Sequence, residues 1–329
     1  MNTTDFDAIV IGGGAAGLSA AQALGRSLRR TLVIDAGAPR NRFATHMHNV
    51  LGLDGTPPLE LLDRGLAEAS GYGVEFLAAN VVTVRDAGDT LVVEALPHGA
   101  GAPAEGDPAP VAMAITARAL IVATGVSDRL PDIPGLADGW GRTVLHCPYC
   151  HGWEVRGGRL GVLATSPASL HQVKLIRQWS DTVTVFAAGL GGLDDGTERA
   201  LAARGMRVER DPVATVAPGS AGELLVTTSG GASHSIDAIF TAGSLRPHDG
   251  FLSELGLERT ESPFGSFITV DVTGRTSHPR VWAAGNVVAP MATVPMAMGA
   301  GAGAGGAANY ALVEEDFALA GAASESASA

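Results

Sequence analysis

Apolar residues along the chain fall into short unbroken runs, spaced by glycine clusters and by stretches of helical period. "DFDAIVIGGGAAGLSAAQALGRSLRRTLVIDAG" reads strand, tight turn, helix, strand. The run Ala8 to Ile11 suits a strand covered on both faces of a parallel sheet, and the small helix formers from Ala15 to Leu24 let the helix lie close to that sheet. Residues 40–58 carry neither period and read as a loop. Residues 59–73 have helical spacing and end at glycines. Strands are expected within 74–97 and 111–125, with the Pro/Gly-rich segment Pro97 to Pro110 as the surface loop of a meander.

A second alternating block follows: strand 159–165, helix 167–180, strand 181–189, helix 194–205 and strand 206–216. After it come a short strand near "ITVD", the strand "RVWAAGNVV" and a long helix of small residues. The expected fold class is α/β, with two Rossmann-like doubly wound domains. One domain is split into 1–127 and 244–316, residues 128–243 form the inserted domain, and 317–329 are expected as a flexible tail.

Composition narrows the partners. Charged residues are 17% of the 329 and the net charge is −12, which disfavours a grip on nucleic acid or anionic lipid. The N-terminal "MNTTDFDAIVIGGG" lacks a basic region and runs straight into a strand, so a cytoplasmic location and no membrane partner are expected. "VPMAMGAGAGAGGAANYALV" is uncharged, but its Gly/Ala content is too weakly hydrophobic for a membrane span and it reads as a buried helix.

Within "GGGAAG", Gly12, Gly14 and Gly17 satisfy G-x-G-x-x-G between a strand and a helix, with Ala15 and Ala16 opening the helix. Gly12 permits the sharp turn, Gly14 lets backbone approach a pyrophosphate, and Gly17 lets helix and strand pack closely. Asp35, followed by Ala36, ends the next strand at the distance where a carboxylate accepts from ribose hydroxyls and repels a 2′-phosphate. The nucleotide is therefore FAD or NAD rather than NADP. "ALIVATG", ending in Ala123, Thr124 and Gly125, and "RVWAAGN", ending in Gly285 and Asn286, offer further small residues over which FAD can pass close to the backbone.

Both cysteines lie in "HCPYCHGWE". Cys147 and Cys150 with His146 and His151 could nominally ligate zinc, but six consecutive residues wrap a tetrahedral ion poorly and no second pair exists, so no metal is expected. Two inert thiols are the plainer alternative. The C-x-x-C spacing favours a small reversible disulfide ring, activated by the helix dipole if the motif opens a helix.

These features together resemble the low-molecular-weight thioredoxin reductase family over nearly the whole chain. The resemblance implies FAD, a homodimer, Cys150 facing the flavin and Cys147 exchanging with substrate. It also places Asn49 of "HNVLG" and the backbone at Val294 along the flavin, and Asn286 where the family usually has Asp on the ribityl chain. The family commonly has Asp after the second Cys; here an imidazole, His151 or else His146, suits removal of a proton from an incoming thiol.

The family's second nucleotide turn should carry G-x-G-x-x-A, yet "LGVLATSPASLHQ" has Ala164, Thr165, Ser166 and Pro167 there. Pro167 removes a donor, and the arginines that grip a 2′-phosphate are missing from "VFAAGLGGLDDG", whose glycines and acids read as a surface turn. Electrons are then expected to enter from sulfur. This pattern resembles the FAD-dependent dithiol oxidases that close disulfides in natural products of the gliotoxin, holomycin and romidepsin type, which share "PRN" (Pro39 to Asn41) and the C-x-x-C segment; Asn41 joins the candidate site by that likeness. The expected function is oxidation of a small-molecule dithiol with O2 as acceptor. The alternatives are a disulfide reductase fed by NAD(P)H or ferredoxin, and a non-catalytic flavin redox sensor.

Overall fold

The computed structural model describes residues 4–98 and 111–328. Apart from Pro97 and His98, the expected loop Pro97 to Pro110 lies outside the described residues. The chain divides into two compact units, one of residues 1–42, 57–127 and 246–329, the other of residues 43–56 and 128–245.

In the first unit, β1 (Phe6–Ile11) runs into α1 (Ala15–Arg26) and β2 (Thr31–Asp35), and β1 sits parallel between β2 and the strand Met113–Val122. Val281–Ala283 extends the same sheet in parallel. The strands Glu75–Asp86, Leu91–Pro97 and Met113–Val122 pair antiparallel, the meander expected from the sequence. Unbroken apolar runs follow from burial on both faces: Val10 and Ile9 are wholly buried in separate clusters on opposite sides of the sheet.

The last helix, Val294–Ser328, lies along α1. A Cβ at Gly301 would come within 2.0 Å of the Ala16 carbonyl oxygen, and one at Gly305 within 2.6 Å of that of Ala20. Backbone therefore meets backbone, and only glycine leaves the room. The helix departs from the expected buried one: Ala304, Ala308 and Leu312 are buried, whereas Met296, Tyr310 and Phe317 are largely exposed. It also continues through residues 317–328, expected as a tail, because Ala318, Ala320, Ala322, Ala323 and Glu325 are strong helix formers. No helix among the described residues is long and apolar enough to cross a membrane.

Partly buried charges fasten this helix. Arg118 reaches Asp7 at 3.3 Å, Glu315 at 2.8 Å and Asp316 at 2.5 Å; Arg29 holds Asp316 at 2.8 Å and Arg280 holds Glu315 at 2.7 Å. Burial raises the proton affinity of Glu315 and Asp316, but the arginine hydrogen bonds outweigh it and hold both carboxyls below their ordinary range.

The second unit carries a parallel sheet ordered 207–209, 183–186, 160–163, 238–241, 144–145. The expected strand 206–216 is two strands, Arg207–Glu209 in this sheet and Val213–Pro218 in a three-stranded antiparallel sheet. Pro212 lies in the break, where it has no N–H to offer a ladder. The expected helix 167–180 is a 3-10 turn, Pro167–Ser169, followed by an α-helix over Leu170–Ile176.

Two consequences are testable. Gly301→Ala should cost about 1–3 kcal/mol of stability through overpacking, read as a lower thermal midpoint. Because the folded carboxyls of Glu315 and Asp316 are depressed, their contribution is complete above their ordinary values of 4.5 and 3.8 and is lost as pH falls below them. Thermal midpoints measured across acid pH should therefore drop more steeply in the parent than in Arg118→Ala, which lacks most of this linkage.

Candidate active site

The glycine fingerprint forms a cradle at the carboxyl edge of the first unit's parallel strands. Gly12 has φ +107°, and a Cβ there would come within 2.5 Å of the Ala123 carbonyl oxygen. A Cβ at Gly17 would come within 1.8 Å of the Gly12 carbonyl oxygen, while one at Gly14 would meet nothing within 4 Å. The turn is thus tight toward the protein and open where a ligand would approach. Gly14 caps α1 with no side-chain hydrogen bond, so the first N–H groups of that twelve-residue helix point at the open side.

Asp35 accepts a hydrogen bond from the Gly13 N–H through Oδ1 at 2.8 Å, which anchors its carboxylate beside the cradle; Ala36 follows on the surface. Gly285, at φ +78°, comes against Ala16, where a Cβ would be 2.9 Å from that side chain. Thr124 donates to the His248 carbonyl at 2.6 Å, and Gly125 turns the chain at φ +69°. Ala15, Ala16, Ala123 and Gly285 thus gather around one turn, and Val294 opens the helix that packs against it. These residues fit the pyrophosphate of a dinucleotide. The Asn286 amide nitrogen reaches the carbonyls of Ala289, Pro290 and Ala292 at 3.0–3.2 Å, so the side chain shapes its own loop, a donor role that Asp could not fill. Asn41, in a turn of the same unit, is partly exposed.

The cysteines lie in the second unit, joined as a disulfide with their Cα atoms 5.2 Å apart. Cys147 caps a single helical turn, Pro148–His151, and its carbonyl accepts from the N–H groups of Cys150 and His151. The motif does open a helix, but four residues sum far less dipole than a full helix, so the expected activation by the macrodipole is weak. Gly152 follows because a Cβ there would lie 2.6 Å from the Trp179 ring. Trp179 in turn meets Tyr149 edge-on, with ring centres 5.9 Å apart. The carbonyl of His146 accepts from Gln172 Nε2 at 2.6 Å, which holds the entry to the turn. Cys147, Cys150, His146 and His151 are all partly exposed.

A further group joins them that sequence reasoning passed over. The loop of residues 43–56 belongs to this unit, and within it Asn49 (φ +64°) donates to the Tyr149 carbonyl at 3.2 Å. Asn49 therefore supports the cysteine turn from within that unit. Next to it, His48 places Nδ1 3.2 Å from Asp54 and Nε2 3.4 Å from Glu154. Burial holds the proton affinity of His151 below that of an ordinary histidine; Glu154 raises it and His48 lowers it further. Glu154 was visible in the motif, since it stands three residues after His151, but nothing local marks His48 or Asp54.

The second nucleotide turn is closed on itself. Ser169, almost fully buried, accepts from the Thr165 N–H at 3.1 Å and the Ser166 N–H at 3.4 Å through its hydroxyl. Thr165 donates its own hydroxyl to the Ala242 carbonyl at 2.5 Å. Gly189 packs on this turn, where a Cβ would lie 2.3 Å from the Ala164 carbonyl oxygen. Two N–H groups of the turn are thus already in use, and Pro167 offers none. Asp194, read as part of a surface turn, caps the next helix by accepting from the Thr197 N–H at 2.9 Å.

Residues 6–301 match the family described as pyridine nucleotide-disulphide oxidoreductase. The chain is 32% identical over 329 residues to a protein named thioredoxin reductase sirT from Leptosphaeria maculans, covering 95% of this chain and 96% of that one. The solved structure of HlmI matches with TM-score 0.88 and 40% identity, covering 100% of both chains. An oxidoreductase from Agrobacterium tumefaciens matches with TM-score 0.84 and 36% identity over 94% of this chain and 98% of that one.

Ser169→Ala should leave two part-buried N–H groups without their acceptor and cost about 1–3 kcal/mol, read by denaturant unfolding. Because Pro167 and the packed Gly189 backbone remain, the same variant should gain no affinity for NADPH by calorimetry.

Proposed function

Since this chain belongs to the pyridine nucleotide-disulphide oxidoreductase family and is a flavin-dependent thiol–disulfide oxidoreductase, we propose that it is an FAD-dependent oxidase of small-molecule dithiols. The observation that supports the direction of electron flow is the turn Thr165 to Ser169, where Ser169 takes the Thr165 and Ser166 N–H groups and Pro167 has none to offer a pyridine nucleotide. Electrons then enter through sulfur.

In this reading, His151, or His146 on the other side of the pair, takes a proton from one substrate thiol. The thiolate attacks Cys147, the Cys147–Cys150 bond breaks, and Cys150 leaves as thiolate. The second substrate thiol then displaces Cys147, and the substrate departs as its cyclic disulfide. Two electrons have passed to the cysteine pair, and the two substrate protons to the imidazole base and the departing Cys147. A small dithiol suits this step because its second thiol is tethered and acts at high effective concentration.

The first unit holds FAD through Gly12, Gly14 and Gly17 with the α1 N-terminus at the pyrophosphate, Asp35 at the ribose, and the backbone near Ala123, Gly285 and Val294 along the remainder. By family resemblance, Cys150 faces the flavin and Asn41 belongs to the active site. Bound flavin supplies a two-electron acceptor that O2 can regenerate, so that dithiol plus O2 gives disulfide plus H2O2. A homodimer is part of the same proposal, and the exposed apolar face of the last helix at Met296 and Tyr310 offers a surface for it.

The test is oxygen uptake and peroxide release with a panel of small dithiols. Parent enzyme should turn over steadily and Cys150→Ser should fall by several orders of magnitude, as expected for loss of a covalent relay. Equal rates in the two would remove the cysteine pair from the reaction. Anaerobic NADPH should leave the flavin oxidised; rapid bleaching would instead favour a reductase fed by pyridine nucleotide.

A further inference from the structure

In the first unit, the residues that join Val281–Ala283 to the last helix form a strap whose two ends meet the glycine cradle. It leaves at Gly285, where a Cβ would stand 2.9 Å from the Ala16 side chain and 3.9 Å from that of Ala297. It re-enters as the helix Val294–Ser328, whose Gly301 passes the Ala16 carbonyl. Between these ends the backbone makes only local turns, Ala289 N–H to the Gly285 carbonyl and Ala292 N–H to the Ala289 carbonyl, both at 2.9 Å. Met291 is exposed and Pro290 has no N–H to give.

Two side chains close the strap. Asn286 donates through Nδ2 to the carbonyls of Ala289 (3.2 Å), Pro290 (3.1 Å) and Ala292 (3.0 Å). Arg40, from the turn after β2, donates through Nη1 to the same Pro290 carbonyl at 3.2 Å. That turn is itself stapled, since the Arg42 N–H and Nη1 both donate to the Pro39 carbonyl, at 3.2 and 2.9 Å. The strap is thus tied from within by an amide and from outside by a guanidinium on a fixed turn.

We propose that Asn286 and Arg40 are positioning residues for the flavin: they clamp the strap, and position 286, where thioredoxin reductases usually carry an Asp on the ribityl chain, has changed from cofactor ligand to clamp. An Asp could not do this work. A carboxylate has no hydrogen to give and would set its oxygens against three carbonyl oxygens. The clamped strap delivers the start of the last helix to Gly285 and Ala16, so the partial positive charge of that helix end stays beside the cradle. The inference rests on a flavin in this cradle and not on the direction of electron flow.

Two substitutions at one position separate a clamp from a ligand. FAD release from diluted holoenzyme is followed by the recovery of flavin fluorescence, and the flavin midpoint potential is read against a reference dye. For a clamp, Asn286→Asp and Asn286→Leu act alike: each should speed FAD release about tenfold, the loss of one to two net hydrogen bonds. Each should also lower the potential, as the positive helix end moves away from the electron-rich reduced flavin. For a ribityl ligand the two act oppositely, Asp slowing release and Leu speeding it. Arg40→Met should speed release in the same sense, and Arg40→Lys, which keeps a donor, should recover part of the loss. A merely structural role would lower the thermal midpoint and leave release and potential at parent values. The proposal is overturned if Asp slows release while Leu speeds it, or if release and potential are unchanged in both position-286 variants or in Arg40→Met. Should Asn286→Leu fail to fold, Arg40→Met, which removes a single bond, decides. Reduction of the holoenzyme by NADPH would overturn the oxidase reading and leave these release rates as they are.

Discussion

Much of the first unit depends on backbone meeting backbone where a Cβ would not fit. Gly17 makes way for the Gly12 carbonyl, Gly12 for the Ala123 carbonyl, and Gly301 for the Ala16 carbonyl. The contacts form one chain: the strand edge at Ala123 supports the turn, the turn supports the start of α1, and α1 lies directly on the last helix. Without any one of them the neighbouring elements would separate by roughly the width of a methyl group, which close packing does not tolerate. The result is a rigid turn whose open side, at Gly14, is left for a cofactor.

The two units apply the same strand–turn–helix topology to opposite ends. In the first, Ile34 and Asp35 take the Gly12 and Gly13 N–H groups, but no side chain caps α1, so the first N–H groups of that helix face the open side. In the second, Ser169 turns back on Thr165 and Ser166, and a 3-10 turn replaces the start of the helix. A hydroxyl acceptor inside a turn is worth about as much as any internal hydrogen bond, but here it also takes up two N–H groups that an anion would otherwise meet.

How much of this was legible depended on how local each signal was. The tight turn Gly12 to Gly17 and the disulfide Cys147–Cys150 were readable because their geometry is encoded in spacing over a few residues. The loss of the second turn was readable from Pro167 and the missing glycines, although the identity of the group that fills it, Ser169, needed coordinates. The contact of His48 with Glu154 was not, since residues about a hundred apart are brought together by a loop with no period. Asn49 was expected along the flavin, and the structure gives its side chain a bond to Tyr149. The last helix was read as buried, and is so on one face only, because small residues suit both a close helix contact and an open face: Gly301 serves the first, while Gly303 lies in open space.

The cysteine turn draws its reactivity from neighbours more than from its own secondary structure. One helical turn cannot supply the dipole that a long helix gives to an N-terminal thiolate. What the segment has in its place is a glycine that lets Trp179 press against it, an amide from Gln172 at its entrance, and imidazoles on both sides of the sulfurs. Packing of this kind fixes the turn while leaving both cysteines partly exposed. In the proposed reaction, a pair held so is suited to exchange with a small tethered dithiol.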